Sequence, residues 1–337
     1  MPPRSYYIEP RATDYLAYAN AFFPEDLMHA KPFVEQNGLP YISDLSHLSA
    51  YLGVSPKLLR QIMHNPSYHY DTFPLKKPNR KPREITAPKT YLKVIQWWIC
   101  DNILHAAPLH DCVHGFRRGR SFISNAKCHI GQKHILNVDI KRFFPSIDSE
   151  KVKECFVSLG YPQEGATVLT GLVTLDGVTP TGAPTSPMIG NIALRGFDIA
   201  LSEYAAQKNL NYTRYADDLT ISSNSWIEKE TLDDVGQLVK KYGFALNAGK
   251  TKFMSTGDRM EVTGIVINSK PNLLRSWRNS KRGYLNRVIK SPHLYIAERS
   301  KVLGILGVLL AVDPKGEMAI TKQAKRAADS LEFHGLL

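Results

Sequence analysis

Residues 211–222 read NYTRYADDLTIS. Tyr212, Tyr215, Leu219, Thr220 and Ile221 favour a pleated sheet, yet Asp217 and Asp218 stand side by side among them. Aspartate is depleted from strands, and adjacent carboxylates repel. The segment therefore predicts a hairpin whose turn lifts both acids to the end of a sheet. A third acid, Asp139, closes a short apolar strand in HILNVDIKRFFPSID, 134–148. A neighbouring strand could bring it alongside the pair. Clustered carboxylates need a cation to stay ionised together. Hard oxygen ligands converging from strand ends suit Mg²⁺, which takes octahedral contacts at about 2.0–2.1 Å and keeps substrate phosphates as its other ligands. Two such ions about 3.5–4 Å apart can activate a hydroxyl and stabilise a leaving pyrophosphate. By itself, an adjacent Asp pair is also what a solvated turn contains.

The chain has 337 residues, 43% apolar and 22% charged, values ordinary for a soluble globular protein with one large composite unit or two or three compact ones. Its 43 basic residues exceed its 31 acidic ones and give a net charge of +12. That balance points to an anionic partner, nucleic acid being the usual one, against a basic protein with no polyanion. Cys100, Cys112, Cys128 and Cys155 include no C-x-x-C pair, which argues against a zinc ribbon or redox pair and for reduced thiols in a cytoplasmic protein. The opening MPPRSYYIEP lacks the apolar run of a secretory signal. VLGILGVLLAV, 302–312, is too short to span a bilayer and predicts a buried helix.

Residues 12–65 read as helical, with two apolar-periodic segments joined at Gly53, Ser55 as N-cap and Pro56 at the first helical position. The pattern is shared by DNA-binding helix-turn-helix units and by plain helical hairpins, and PKLLRQIMHN offers few base-reading side chains at its start. YDTFPLKKPNRKPREITAP, 70–88, predicts a two-stranded ribbon turning at Pro78-Asn79 with a basic tip. Leu92, Ile95, Ile99 and Ile103 share one face of a core helix over 91–106. GFRRGRS, 115–121, does not fit the G-x-x-x-x-G-K-[ST] phosphate loop. A helix follows over 148–160, then a tight loop and one long helix over 179–209, the YADD strands, a helix near 227–243, a strand at 262–268 and a basic, mainly helical tail.

Together these segments resemble the reverse transcriptases, and within them the bacterial retron reverse transcriptases. NVDIKRFFPSID resembles the first palm motif, GAPTSPMIGNIAL (182–194) the template and nucleotide loop, YTRYADDLTIS the active-site hairpin, and LNAGKTKF (246–253) the motif after it. NAKCH at 125–129 fits the N-A-x-x-H segment of retron enzymes, and Val262-Thr263-Gly264 fits their V-T-G segment. Each is chance-level alone; both in order around YADD are specific. One departure is Thr181, where the family often has glutamine, and no catalytic role is given to it.

The resemblance implies an α+β right-hand polymerase. Its parts are a helical N-terminal region over 1–70, fingers over 71–135 with a part near 160–180, an antiparallel palm over 136–268 and a helical thumb over 269–337. It implies catalysis by Asp139, Asp217 and Asp218, with two Mg²⁺ held by these and Ile140. Nucleotide contacts fall on Lys81, Arg83, Gly182, Ala183 and Lys250, and on Phe144 as a steric gate against a 2′-hydroxyl. Lys81 and Arg83 read equally as a solvated ribbon, and Phe144 as a core aromatic, since one of Phe143 and Phe144 must point inward. RNA contacts fall on Asn125 and His129, four apart and so on one helical face, with a structural role for His129 the alternative, on Val262, Thr263 and Gly264, and on Arg278, Arg282 and Tyr284 in a basic, aromatic-bearing helix.

The partners implied are a cognate noncoding RNA (msr-msd), the branched DNA primed from its 2′-hydroxyl, a separate antiphage effector and host RNase H, with no membrane involvement. Rival readings are a reverse transcriptase of another bacterial lineage, either abortive-infection or group II intron-like, the latter disfavoured by the short tail after VTG, and a helix-turn-helix protein, which leaves the three acids unexplained. A viral-type RNA polymerase is disfavoured by Phe144 and by YADD in place of GDD.

Overall fold

The computed structural model describes residues 12–77 and 80–334. Four helices open it: α1 (Ala12–Phe22), α2 (Leu27–Asn37), α3 (Leu45–Leu52) and α4 (Pro56–His64). Asp44 caps α3 by accepting from the Ser46 and His47 N–H groups, and Gly53 ends it at a φ of 63°. Ser55 caps α4 by accepting from the Leu58 N–H, with Pro56 at the first position, as the sequence predicts. Leu59 and Ile62 of α4 are buried, and α4 packs on a later helix (Gln163–Val173), so the pair is a packed helical hairpin.

Next come β1 (Tyr70–Lys77) and β2 (Arg80–Pro88), an antiparallel ribbon, then α5 (Thr90–Asn102) with Leu92, Ile95 and Ile99 buried. α6 (Phe122–Lys127) begins with a capping box between Ser121 and Ser124. The middle of the chain runs β3 (His134–Asp139), α7 (Ser149–Val157), α8 (Gln163–Val173), α9 (Ser186–Ala193), α10 (Arg195–Gln207), β4 (Asn211–Tyr215), β5 (Asp218–Ser223), α11 (Lys229–Lys241) and β6 (Lys252–Ser255). The long helix expected after the 179–185 loop is two helices. Buried Leu194 leaves the helical region (φ −90°, ψ 2°) and redirects the chain, so that α10 packs on α11.

The central sheet is antiparallel throughout, in the order β4-β5-β3-β6. Its pleat sends Leu136 and Val138 of β3, with Leu219 and Ile221 of β5, into a core shared with the N-terminal and central helices. Ile135 points the other way into a second core. Each such aliphatic side chain contributes about 1.5–3 kcal/mol when fully buried. Alternation therefore fixes the register, because a one-residue slip would exchange the two faces.

The second core joins α6 to β7 (Glu261–Val262), β8 (Ile265–Val266), β9 (Asn272–Leu273) and three basic helices, α12 (Arg275–Lys290), α13 (Arg299–Val312) and α14 (Ala319–His334). Where one strand was expected over 262–268, β7 and β8 form a tight hairpin. Thr263 and Gly264 make its two-residue turn at φ 48° and 81°, the geometry that twisted antiparallel strands favour. Val302, Ile305, Leu309 and Val312 bury α13, as its apolar run predicts. No described helix is long and apolar enough to cross a membrane.

Candidate active site

The register of β3 and β5 sets Asp139 opposite Asp218, and residues so paired share a face of the sheet. Ala216 and Asp217 make the turn between β4 and β5, and the Asp217 carbonyl accepts from the Ile140 N–H at 2.8 Å. Main-chain pairing thus gathers the acids from both segments at one sheet end. Ile140 takes part through its backbone, its side chain being buried.

The electrostatics follow from that crowding. Burial, and then the neighbouring Asp139, raise the Asp217 pKa. Burial, then Asp217 and Asp139, push Asp218 up to about 7. Lys250 opposes both shifts, and Arg83 on β2 opposes that of Asp217. Lys250 Nζ donates to Asp139 Oδ2 at 2.6 Å, and Asn247 Nδ2 donates to Oδ1 at 3.3 Å. An ammonium group thus stands where a cation is called for. The oxygen donors of Asp139, Asp217 and Asp218 fit a hard divalent ion.

Around the acids, Phe143 is buried in the first core and Phe144 is half-buried. The Phe144 ring lies 6.5 Å from that of Phe116, which lies 6.5 Å from Tyr215. The loop holding Gly182 and Ala183 is sewn to β2. Gly182 N donates to Thr86 O at 2.9 Å, and a Cβ on Gly182 would come within 2.7 Å of that oxygen. The Thr181 hydroxyl accepts from Thr86 N at 3.1 Å, a fastening role that sequence alone did not show. Arg83 is exposed on the same strand. The Pro78-Asn79 turn and the Lys81 side chain lie outside the described residues.

The expected RNA contacts divide. His129 and Asn125 are fully buried, which corrects the idea that their shared face meets RNA. His129 Nδ1 lies 2.6 Å from Ser222 Oγ and Nε2 lies 2.7 Å from Thr213 Oγ1, so the ring joins β4 to β5 beneath α6. Tyr284 is buried too: its hydroxyl donates to Glu298 at 2.9 Å and Lys301 lies over its ring, which does not suit it to stack on a base. Val262 is core. Thr263 Oγ1 donates to Phe122 O at 2.7 Å, so the VTG turn and the NAKCH helix pack on one another. Gly264 and Arg282 are exposed. Arg282 and half-buried Arg278 line a cleft with Lys270 and Lys315.

Sequence reasoning missed what lies beneath the turn. Arg214, inside the quoted hairpin, is wholly buried and grips Asp198 of α10 through Nε–Oδ1 at 2.8 Å and Nη2–Oδ2 at 2.6 Å. Its Nη1 donates to Asn191 Oδ1 at 3.0 Å and to Ala216 O at 3.1 Å. Strand alternation flags Arg214 as inward-facing, but no local pattern names its partners.

The family described as reverse transcriptase (RNA-dependent DNA polymerase) matches residues 75–283, from the ribbon into α12. The chain is 32% identical over 284 residues to the Retron Ec86 reverse transcriptase of Escherichia coli, a match covering 82% of this chain and 87% of that protein. It is 31% identical over 326 residues to the Retron Mx65 reverse transcriptase of Myxococcus xanthus, covering 89% and 75%. It is 32% identical over 269 residues to the Retron Se72 reverse transcriptase of Salmonella heidelberg (strain 579083-10), covering 77% and 70%. With YADD at the sheet end and these matches along most of its length, the chain belongs to the reverse transcriptase family, as a retron-type RNA-directed DNA polymerase.

Proposed function

We propose that this polymerase copies a cognate noncoding RNA into DNA that stays branched from a 2′-hydroxyl of that RNA. In this reading Asp139 and Asp217 are the principal ligands of two Mg²⁺ ions, with Asp218 and the backbone around Ile140 completing the site. The observation that carries it is the pairing of Asp139 with Asp218 beside the Asp217 turn, with Lys250 already supplying a positive charge there. When bound, Mg²⁺ lowers the pKa of the attacking hydroxyl and neutralises the leaving pyrophosphate.

The chain's own residues do the rest. Asp139 and Asp217 are the carboxylates that would hold the metal. Lys250 is placed to hold a proton for the leaving pyrophosphate. Arg83 meets the triphosphate with a fork of donors, and Lys81 extends the same ribbon. The Phe144 ring fills the space a 2′-hydroxyl would take and offers it no partner. Gly182 and Ala183 seat the nucleotide against β2. Exposed Arg282 and Gly264, with Arg278, face the RNA backbone.

The architecture in this reading is a right hand: a helical N-terminal region through residue 70, fingers over 71–135 and near 160–180, palm over 136–268 and thumb over 269–337. The product serves antiphage defence in the cytoplasm beside a separate effector, with host RNase H trimming the RNA. Sequencing the nucleic acid that copurifies with the protein tests this. Branched RNA–DNA is expected from the wild type and not from Asp217→Asn. Absence of DNA from the wild type, or equal amounts from both, would remove the reading.

A further inference from the structure

We propose that Arg214, Asn191 and Gly115 are positioning residues that set the YADD turn and couple it to the aromatic pocket beside Phe144. This rests on the reading above, in which Asp217 binds metal. None of the three touches substrate or metal.

The first observation is a backbone that needs support. Ala216 sits at a φ of 59°, a left-handed conformation that costs a residue with a Cβ about 1–2 kcal/mol. Its carbonyl accepts from Arg214 Nη1, and the adjacent Asp217 carbonyl accepts from Ile140 N. The backbone that carries the Asp217 carboxylate is therefore held from below and from the side. The second observation is how Arg214 is held. Asp198 takes two of its nitrogens, and Tyr212 OH donates to the same Asp198 Oδ1 at 2.9 Å. A buried ion pair of this kind often gives no more stability than apolar residues of similar volume, because desolvating both charges offsets their attraction. Fixed donor direction is what it supplies and apolar residues cannot.

The third observation extends the device. Asn191 accepts from Arg214 and, through Nδ2, donates to Gly115 O at 3.0 Å. A Cβ on Gly115 would lie 2.4 Å from Ala216 N, so that glycine is pressed directly against the turn. Residues 112–114 run beside β4, with Arg214 N donating to Cys112 O and His114 N to Arg214 O, both at 2.8 Å. Gly115 is followed by Phe116, itself at a φ of 56°, whose ring stands between those of Phe144 and Tyr215. One buried network thus reaches the metal-binding turn on one side and the sugar pocket on the other. Moving either should move both.

The test uses Asn191→Ala, Gly115→Ala and Arg214→Lys in the full chain. Mn²⁺ binding to the protein without nucleic acid is read by calorimetry. Discrimination between dTTP and UTP is read on a poly(rA)–oligo(dT) primer. Losing a group that orients a metal ligand typically costs about ten- to a hundredfold in metal affinity, so each folded variant is expected to bind Mn²⁺ about ten- to a hundredfold more weakly, with discrimination falling in step. Phe144→Ala should lose discrimination alone. If Arg214→Lys or Gly115→Ala fails to fold, Asn191→Ala decides, since it removes only the Asn191 bonds to Arg214 and Gly115 and adds no atom against the turn. A folded variant with wild-type Mn²⁺ affinity and wild-type discrimination overturns the proposal. If the wild type gives no Mn²⁺ heat that Asp217→Asn abolishes, the metal-site reading itself fails, and the proposal with it.

Discussion

Lys250 Nζ lies 2.6 Å from Asp139 Oδ2, so a lysine of the loop before β6 holds the carboxylate at the end of β3. The lysine side chain is 44% exposed, and pairs with so much solvent access are worth about 0–1 kcal/mol. The contact is therefore easily broken. A divalent ion arriving at Asp139 would release the ammonium, which in the proposed reading then serves the triphosphate. Lys250→Ala should leave Mn²⁺ affinity equal to or tighter than wild type while slowing single-turnover extension about 10²–10⁴-fold, the range a proton donor supplies. Calorimetry and rapid-quench extension separate the two effects. Weakened Mn²⁺ binding with an unchanged rate would show that Lys250 acts on the resting site alone.

Adjacent phenylalanines at 143 and 144 have opposite fates, one in the first core and one at its edge beside Phe116. Phe143→Ala should therefore destabilise the fold by about 3–5 kcal/mol, as large core deletions do. Phe144→Ala should cost less stability and admit ribonucleotides, raising UTP use relative to dTTP by about 10- to 200-fold, the range expected for opening a pocket by a few carbons. Urea titration and primer extension read the two outcomes. Unchanged sugar preference in Phe144→Ala would assign the gate to another ring.

What was legible in the sequence and what was not divides along a physical line. The YADD hairpin, the strand ending at Asp139, the Ser55 cap and the apolar run of α13 depend on local pattern, and the structure has each of them. The break at Leu194 depends on how α10 meets α11, and nothing adjacent to Leu194 signals it. The VTG turn carried its signal in Gly264, but a short apolar segment reads as strand until its partner is known. Asn125, His129 and Tyr284 look like contact residues because they are polar or aromatic on helical spacing. Their burial is set by elements far along the chain: His129 by Ser222 and Thr213, Tyr284 by Glu298 and Lys301. Arg214 was visible in the motif, while Asp198 and Asn191 gained meaning only from the packing of α9 and α10 under the sheet.

Asp218 gives a pH dependence with a definite sign. Its folded-state pKa is raised to about 7, chiefly by burial and then by Asp217 and Asp139, from an ordinary carboxylate value of 3.8. The neutral acid is thus favoured in the fold. That contribution is fully present below the ordinary value and is lost as pH rises through about 7. Without divalent ions, the melting temperature of the wild type should fall relative to Asp218→Asn as pH is raised across this window. Added Mg²⁺ should restore more stability at pH 8 than at pH 5, because only the ionised carboxylate attracts it. Parallel melting curves for the two proteins across the window would refute this placement of Asp218.

His129 gives the opposite sign and tests its reassignment from RNA contact to core. Burial, and then the charge of His114, hold its pKa down to about 3, so the fold keeps the imidazole neutral while an unfolded chain would protonate it near the usual value of 6.5. Its contribution is present above the usual histidine value and is lost as pH falls toward about 3. A neutral imidazole offers one donor and one acceptor, which suits the hydroxyls of Ser222 and Thr213. His129→Ala should cost about 2–4 kcal/mol, since it leaves both hydroxyls buried without the ring and opens a cavity between α6 and the sheet. His129→Gln keeps a neutral donor and acceptor. It should recover part of that stability and flatten the loss of stability between pH 7 and pH 4. Folded His129→Gln should bind template RNA as tightly as wild type at pH 7. If it is as stable as wild type but loses RNA affinity tenfold or more, the ring contacts RNA in some state of the protein, and burial beneath α6 is not its whole role.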